Sequence, residues 1–302
     1  MIKSFKITNP SGESLYLDIK KPEDTGFLIA SVNGLASPEA EISSTEYALY
    51  DGSYIGSARV EARKIDFSVL FYEMNSNKYS VEELRHQCYR FFPIKKKIKI
   101  EVTNDSGTYK IDGYVEANET SIFTKMEGAE ISVTCPDPYF TKGPENVVHL
   151  YHSVPMFEFP VKFENTIEFS RIESYPDVIV DYPGYGGQGI TITIDSFGGA
   201  DNPIVYELSR RLWIKINTKT LAAITGYGIL AKDVFIITTE KGNKTAKLIR
   251  NGTTYNILSC IETGGEWISL EQGMNRFGYS VDGSNKNNLN VRIDYKTNYV
   301  GV

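Results

Sequence analysis

Residues 131–140 read ISVTCPDPYF, and this stretch indicates both the fold class and the end of a domain. Apolar side chains occupy every second position up to Cys135, which is the period of a β-strand with one face in a core and one in water. Pro136 and Pro138 follow, and proline cannot donate a hydrogen bond to a neighbouring strand. The sequence therefore predicts a strand that ends at Cys135, followed by a turn that closes the first domain.

The same alternation recurs along the chain in short runs, which are separated by turn residues such as Asn251-Gly252 and Asp282-Gly283. Antiparallel sheets with one solvated face have this pattern. We therefore expect a mainly β protein of sandwich or barrel-like domains. The main alternating sets are Leu15/Leu17/Ile19, Ile65/Phe67/Val69/Phe71, Ile98/Ile100/Val102, Tyr109/Ile111/Val115, Phe157/Phe159/Val161/Phe163, Val178/Val180/Tyr182, Ile190/Ile192/Ile194, Leu212/Ile214/Ile216, Val234/Ile236 and Leu289/Val291/Ile293/Tyr295.

One segment, residues 79–92, has helical periodicity instead. Ser80 and Glu83 stand at the spacing of a capping box, and Pro93 cannot continue a helix. The sequence predicts a single amphipathic helix over about 80–92, laid on a sheet. Its apolar positions are Val81, Leu84, Cys88 and Phe91.

With 302 residues, the chain is long enough for two compact domains, each with its own core. We expect an N-terminal β-sandwich or barrel-like domain at residues 1–140, a short linker at 141–144, and a C-terminal β-sandwich at 145–302. No segment of the second half requires a helix, so the second domain is expected to be all-β.

The charge of the chain argues against nucleic acid as a ligand. The formal net charge is -6, and residues 1–140 carry most of it, with 16 Lys and Arg against 21 Asp and Glu. Nucleic-acid affinity comes largely from neutralising phosphates, which needs a positive surface. The sequence also has no apolar run near the ~20 residues that span a bilayer, so membrane insertion and a secretory signal are not expected.

The sequence has no motif of known catalytic or cofactor chemistry, and we assign no catalytic, cofactor-binding or metal-binding residue. GYGGQG at 184–189 has the spacing of a dinucleotide-binding loop. Such a site needs a helix next, whereas the strand-like ITITI follows, so a loop between two strands is favoured. His149 and His152 would point to opposite faces of a strand and would not share a metal ion.

The cysteines and the one lysine run are interpreted as structural features and not as binding sites. Cys88, Cys135 and Cys260 are too far apart for a metal motif and are expected to be buried, reduced thiols. The lysines at 95–97 and Lys99 enter a predicted strand, where charged side chains are typical of a solvated strand edge that discourages stray pairing.

Aromatic side chains of the second domain leave another class of function open, a carbohydrate-binding module. Tyr182, Tyr185 and Trp213 are candidates for stacking on sugar rings at a host surface. Trp267 lies between apolar neighbours on both strand faces and is expected in the core. A glycoside hydrolase is a third alternative, because carboxylates that converge in space leave no trace in a sequence.

The CPDPYF motif (Cys135, Pro136, Asp137, Pro138, Tyr139 and Phe140) resembles the end of the N-terminal domain in siphophage distal tail proteins, often called Dit. Other features resemble that family in the same order along the chain. They are Asp51-Gly52, residues 59–69 leading into a long strand, one helix with Leu84 and Arg85, and Gly113 in the following strand.

The close of the chain is also similar to the family, in EQGMN at 271–275, the strand at 289–295 and YVGV at 299–302. Gln272 departs from the family pattern, which commonly has proline at this turn. The resemblance thus spans nearly the whole sequence. CPDPYF is its most specific part.

The resemblance implies a ring of six copies, formed through residues 1–140 at the lower end of a phage tail tube. A galectin-like or carbohydrate-module-like C-terminal sandwich would project outward. The implied partners are further copies of the chain, the tail tube protein, the hub or tail-associated lysin, and tail-fibre or receptor-binding proteins. Host glycan remains an alternative ligand.

The implied location is the tail tip of a virion, assembled in the cytoplasm of the bacterial host, and the implied role is structural and not enzymatic. No cofactor, membrane insertion or specific nucleic-acid binding is expected. If the acidic residues of 1–140 line the ring, they would repel DNA from the channel wall and keep it from sticking.

Overall fold

The structure is a computed structural model of the 302-residue chain. It describes residues 1–72, 79–122, 124, 126–155, 170–174, 177–283 and 286–302. The strand predicted at 157–163 lies outside these residues. Among the described residues, no helix has the length and apolar character that crossing a membrane demands.

The chain forms two compact units, Met1–Gly143 with Asn298–Val302, and Pro144–Thr297. The expected second domain runs to residue 302, whereas the structure places the last five residues in the first unit. Tyr299 meets the ring of Tyr109 edge-on at 5.2 Å between ring centres, and the backbone N–H of Val302 donates to the carbonyl of Leu35 at 3.2 Å. These contacts of an apolar tail with the first core explain the difference.

The first unit is a mainly antiparallel β structure, as predicted. Seven of its strands run in the order β2-β1-β7-β8-β9-β6-β3, and β4 and β5 form a separate two-stranded ribbon. The strands are β1 Ile2–Thr8, β2 Ser14–Asp18, β3 Phe27–Asn33, β4 Ala40–Glu46, β5 Ser53–Val60, β6 Arg63–Phe71, β7 Lys97–Asn104, β8 Gly107–Ser121 and β9 Gly128–Cys135.

Strand β8 folds this sheet onto itself. Its first half pairs with β7 and its second half with β9, the two pairings meet at Tyr114, and a bulge between Val115 and Ala117 follows directly in the β9 pairing. A bulge bends a strand and increases its twist, which lets one strand serve two layers. The inward faces of both layers contribute to a single apolar core, and β9 ends at Cys135 as its prolines predict.

The predicted helix is confirmed as α1, Val81–Phe91. The Ser80 side chain accepts from the Glu83 N–H at 3.3 Å, and the Glu83 carboxylate accepts from the Ser80 N–H at 2.9 Å, so the capping box is complete. Leu84 and Cys88 are buried. At the other end, the Asn118 amide of β8 donates to the carbonyls of Cys88 and Phe92 at 3.4 and 3.1 Å.

We expect Ser80→Ala to destabilise the first unit by about 1 kcal/mol, because the helix loses the side-chain acceptor of its cap. Hydrogen exchange of the α1 amides in the full chain measures this. Ser44→Ala, on an exposed strand, is the control and should stay within about 0.5 kcal/mol of wild type. Equal exchange rates for the two variants would show that the capping box contributes nothing.

The second unit is a β-sandwich. One sheet has the order β24-β15-β18-β19-β20 and the other β13-β23-β16-β17-β21, and both bury side chains in one core. The strands from residue 140 onward are β10 Phe140–His149, β11 Tyr151–Pro155, β12 Ser170–Ser174, β13 Val178–Tyr182, β14 Gln188–Gly189, β15 Thr191–Ser196, β16 Asp201–Glu207, β17 Leu212–Ile216, β18 Val234–Thr238, β19 Thr245–Arg250, β20 Thr253–Asn256, β21 Ile261–Thr263, β22 Ser269–Leu270, β23 Gly273–Asp282 and β24 Leu289–Tyr299. Short 3₁₀ turns lie at Pro22–Asp24, Leu258–Cys260 and Lys286–Asn288.

The expectation of an all-β second half is wrong at one place, the helix α2, Thr218–Thr225. Asn217 caps its start by accepting from the Thr220 N–H at 3.1 Å, and Gly226 ends it in the left-handed conformation. Both are ordinary helix boundary residues. The helix is only eight residues long, too short for its periodicity to stand out among alternating strands.

Candidate interaction surface

The ribbon of β4 and β5 is the most exposed element of the first unit. We call residues 39–61 the arm. Its strands pair from Ala40 with Val60 at the base to Glu46 with Ser53 at the tip, and every residue of both strands is exposed. In the described part of the chain, β4 and β5 pair only with each other.

Large apolar side chains of the arm face water. Leu49 and Tyr50 in the turn are 88% and 79% exposed, and Ile42, Tyr54 and Ile55 are more than half exposed. A lone two-stranded ribbon is marginally stable in water, and clustered exposed apolar groups usually mark an interaction site. The arm therefore has the character of an element that is completed by a partner.

The arm is also acidic. It carries five carboxylates against a single arginine, Arg59, for a net charge of -4. Arg59 is paired with Glu41 across the two strands through a hydrogen bond of 2.6 Å. The other carboxylates are Glu39, Glu46, Asp51 and Glu61.

A buried arginine holds the root of the arm. Arg63 begins β6 immediately after the arm and is 3% exposed. Its guanidinium donates to the carbonyls of Gly34 and Ala36, both at 2.5 Å, at the point where the chain enters the arm. It also donates to the carbonyls of Pro138, at 2.7 Å, and Val300. One side chain thus ties three segments of the first unit together.

The CPDPYF motif forms one wall of this Arg63 junction. The guanidinium lies over the ring of Phe140, 4.7 Å from its centre, and that ring is fully buried. Asp137 accepts from the backbone N–H of Tyr139 at 3.2 Å, which tightens the turn between the prolines and β10. Burial lowers the pKa of Arg63, but an arginine stays protonated at physiological pH.

Sequence reasoning missed Arg63, although a signal is present. In β6 the residues at 63, 65, 67, 69 and 71 all point inward. A charged residue in phase with a buried apolar face is unusual and needs several partners inside the core. The junction therefore has a structural role, and the exposed arm is the part that is available for binding.

The lysine run lies on a sheet face and not on a strand edge, contrary to expectation. β7 is an interior strand, because it pairs with β1 on one side and β8 on the other. Its lysines Lys97 and Lys99 point outward from the sheet, opposite to buried Ile98 and Ile100. We call the outward side of β1, of β7 and of the part of β8 that pairs with β7, Gly107–Tyr114, together with the turn at 95–96, the lysine face.

The lysine face is basic as a whole. Lys97 pairs with Asp112 at 2.9 Å, and Glu101 lies between Lys6 at 3.4 Å and Lys110 at 3.6 Å. Among the described residues, Lys95, Lys96 and Lys99 have no carboxylate within ion-pair distance. Lys3 of β1 is paired with Asp105 of the turn after β7 at 3.0 Å, and the other six lysines against two carboxylates give this face a net charge of +4.

The three aromatic residues nominated for sugar stacking lie in different environments. Tyr182 is fully buried and packs edge-on against Tyr295, 5.9 Å between ring centres, so it presents no face to a ligand. Trp213 is half-buried, and its indole lies against the backbone of Gly264. Tyr185 is 46% exposed. Trp267 packs at the rim of the second core.

The remaining candidates for chemistry are accounted for by structure. The strand β15 follows the loop at 184–189, so no helix is present there to hold a pyrophosphate. The three cysteines are buried, unpaired thiols, and burial raises the pKa of Cys88 and Cys135 to about 12. Across the described ranges, no three His, Cys, Asp or Glu side chains lie close enough to hold a metal ion.

Solved structures share this arrangement over the full length of the chain. The crystal structure of the phage SPP1 Dit protein matches with a TM-score of 0.64 at 14% identity, covering 98% of this chain and 100% of that one. The chain has the fold of the SPP1 Dit protein. The SPP1 Dit structure is described as a paradigm of the hub adsorption apparatus in phages that infect Gram-positive bacteria.

A second match supports the same fold. A chain of the phage p2 baseplate in its activated, strontium-bound conformation has a TM-score of 0.52 at 11% identity, over 99% of both chains. No protein-family model and no curated protein matches the sequence. The structure thus shows the Dit fold, although overall sequence identity is too low for a sequence comparison to detect it. The predicted resemblance is confirmed at the level of the fold.

Proposed function

We propose that the chain is a structural protein of a phage tail tip, in which six copies form a ring that joins the tail tube to the hub and the receptor-binding or fibre proteins. The observation that carries the proposal is the full-length match to SPP1 Dit, a hub protein. Both units take part in that match, so the likeness does not rest on a single common domain.

In this proposal, residues 1–140 form the ring and 145–302 are the outer sandwich. The arm supports this, because an acidic, apolar ribbon at the surface of the first unit suits a contact with another subunit. A contact between two different surfaces of identical chains forms a ring when its rotation closes, which leaves no binding surface free to grow a fibre.

The partners in the proposal are the tail tube protein on one side of the ring, and the hub or lysin and fibre proteins on the other. DNA would pass through the ring without specific binding, because residues 1–140 have no net positive charge with which to hold phosphates. The protein would act at the tail tip of the virion after assembly in the host cytoplasm. It would perform no catalysis.

We expect the purified full chain to form six-fold annuli in electron microscopy. Its mass by light scattering should then be that of six copies of the 33.9 kDa chain, about 200 kDa. A variant in which a Gly-Ser dipeptide replaces residues 41–59 should fold and remain monomeric, because it lacks the arm but keeps the Arg63 junction. Circular dichroism checks the fold of the variant.

The control reduces exposed apolar surface on the second unit instead, with Ile179→Ser and Met274→Ser, and should still form rings. A wild-type chain that stays monomeric up to high concentration, and also fails to join any tube or hub protein, would contradict the proposal. An armless variant that still forms six-fold annuli would contradict the role of the arm.

A further inference from the structure

We infer that the arm of each copy binds the lysine face of the next copy around the ring. The inference rests on the proposed ring and adds to it the two surfaces that meet. Both surfaces belong to the first unit, and the described residues carry them completely.

Charge complementarity is the first argument for this pairing. The arm has a net charge of -4 and the lysine face +4. The two carboxylates of the lysine face already lie beside lysines of the same face, at 2.9 to 3.6 Å, which leaves Lys95, Lys96 and Lys99 as its excess charges. On the arm, only Glu41 is paired with an arginine of the arm. Each surface therefore lacks the charges that the other has in excess.

Apolar groups complement each other in the same way. Next to the lysines lie Ile94, Tyr16 and Tyr114, each about half exposed. Tyr16 is the strand neighbour of Lys6, and Tyr114 that of Lys97, so both rings border the charged rows. Specific interfaces combine an apolar centre with a charged rim, and tyrosine is enriched in them. Leu49 and Tyr50 of the arm are the natural counterparts.

The geometry of a single copy excludes pairing within that copy. Every residue of β4 and β5 is exposed, so the arm does not bind its own lysine face. Two complementary surfaces that do not meet within one chain are free to meet between chains. Because the surfaces differ, the contact is head-to-tail, and this is the type of contact that closes into a cyclic ring.

Charge reversal on either surface tests the inference in the full chain. We expect Glu46→Lys with Asp51→Lys to weaken ring assembly by at least about tenfold at low salt, because it places positive charge against the lysines. Lys96→Glu with Lys99→Glu should do the same from the other side. The quadruple variant, with both pairs reversed, should recover most of the assembly. Light scattering across a dilution series measures all three.

The matched control reverses two exposed lysines of the second unit, Lys219→Glu with Lys247→Glu, which should leave assembly unchanged. A wild-type hexamer that tolerates both double reversals would overturn the inference and leave the ring intact. A quadruple variant that does not recover would also overturn it. Double variants that keep the ring but no longer join a tube or hub protein would assign the arm to that protein. A monomeric wild type contradicts the ring itself.

Discussion

Replacing Arg63 by methionine is expected to lower the free energy of unfolding of the first unit by about 3–5 kcal/mol. Methionine fills a similar volume but donates no hydrogen bond. The carbonyls of Gly34, Ala36, Pro138 and Val300 would then lose a charged donor inside the core. A buried carbonyl without a partner costs about 1–3 kcal/mol, and water entering the gap recovers only part of the sum.

The junction offers no easy relaxation. Gly34 has φ at +83°, and a Cβ on it would lie 1.9 Å from the Lys64 carbonyl oxygen. The backbone at the root of the arm is therefore already in tight contact with β6 and cannot move inward to fill the gap left by Arg63. Lysine at position 63 should recover little of the lost stability. A guanidinium donates from three nitrogen atoms to the four carbonyls, whereas an ammonium donates from a single nitrogen. We therefore expect Arg63→Lys to be closer to Arg63→Met than to wild type.

Urea unfolding of the full chain, followed by hydrogen exchange in β6 and β9, measures the effect, and peptides of the second unit serve as the internal reference. The matched variant is Arg59→Met, the same chemical change four residues away. Arg59 lies on the exposed arm in an ion pair with Glu41, so its loss should cost less than about 1 kcal/mol. Equal losses at 59 and 63 would show that the junction does not hold the unit together.

The sequence allowed much of the fold to be predicted, because local signals and tertiary structure agree. The capping box at Ser80, the stop at Pro93 and the end of β9 at Cys135 each depend on a few neighbouring residues. Such signals are complete within a short stretch of chain. The long alternating runs likewise placed most of the two cores, Ile65 and Phe67 among them.

Alternation failed where both strand faces are apolar. The prediction placed Val234 and Ile236 inward, but in the strand VFIIT the structure buries Phe235 and Ile237. Because every candidate position is hydrophobic, the periodicity cannot choose the face, and packing against neighbouring strands decides it. The error shifts one strand by one residue and leaves the fold class unchanged.

The candidate surface was the hardest part to predict. The turn at Asp51-Gly52 indicates a hairpin, but nothing local shows that both faces of that hairpin are exposed. Nor does the sequence show that Arg63 meets residues 34, 138 and 300, since these contacts span up to 237 positions along the chain. Side chains that converge from distant segments are visible only once the fold is known.

The second large effect is expected at a buried ion pair of the second unit, Asp233 with Arg250. The guanidinium donates to both carboxylate oxygens, at 2.8 and 2.5 Å, and the two side chains are 1% and 7% exposed. We expect Asp233→Asn to destabilise this unit by about 3–5 kcal/mol, because it leaves a buried positive charge without a counter-charge. Arg250 does not escape by losing its proton, because an arginine side chain is not deprotonated in a protein at physiological pH.

The pair is more than an isolated contact. Arg250 also donates to the carbonyl of Gly228 at 2.6 Å and to the Thr225 hydroxyl at 3.1 Å, and Asp233 accepts from the Leu230 N–H at 2.8 Å. These bonds fasten the segment after α2 to β18 and β19. Urea unfolding combined with hydrogen exchange should therefore show faster exchange first in residues 225–233.

Asp177→Asn is the matched control, because Asp177 pairs with Arg276 at the surface and its loss should cost less than about 1 kcal/mol. The double variant Asp233→Leu with Arg250→Met separates charge from packing. If the cost of Asp233→Asn comes from the stranded guanidinium, removing both charges should make the double variant more stable than Asp233→Asn alone. A double variant that is equally or less stable would instead show that the hydrogen bonds from Arg250 to residues 225 and 228 stabilise the unit, and that the charge balance is secondary.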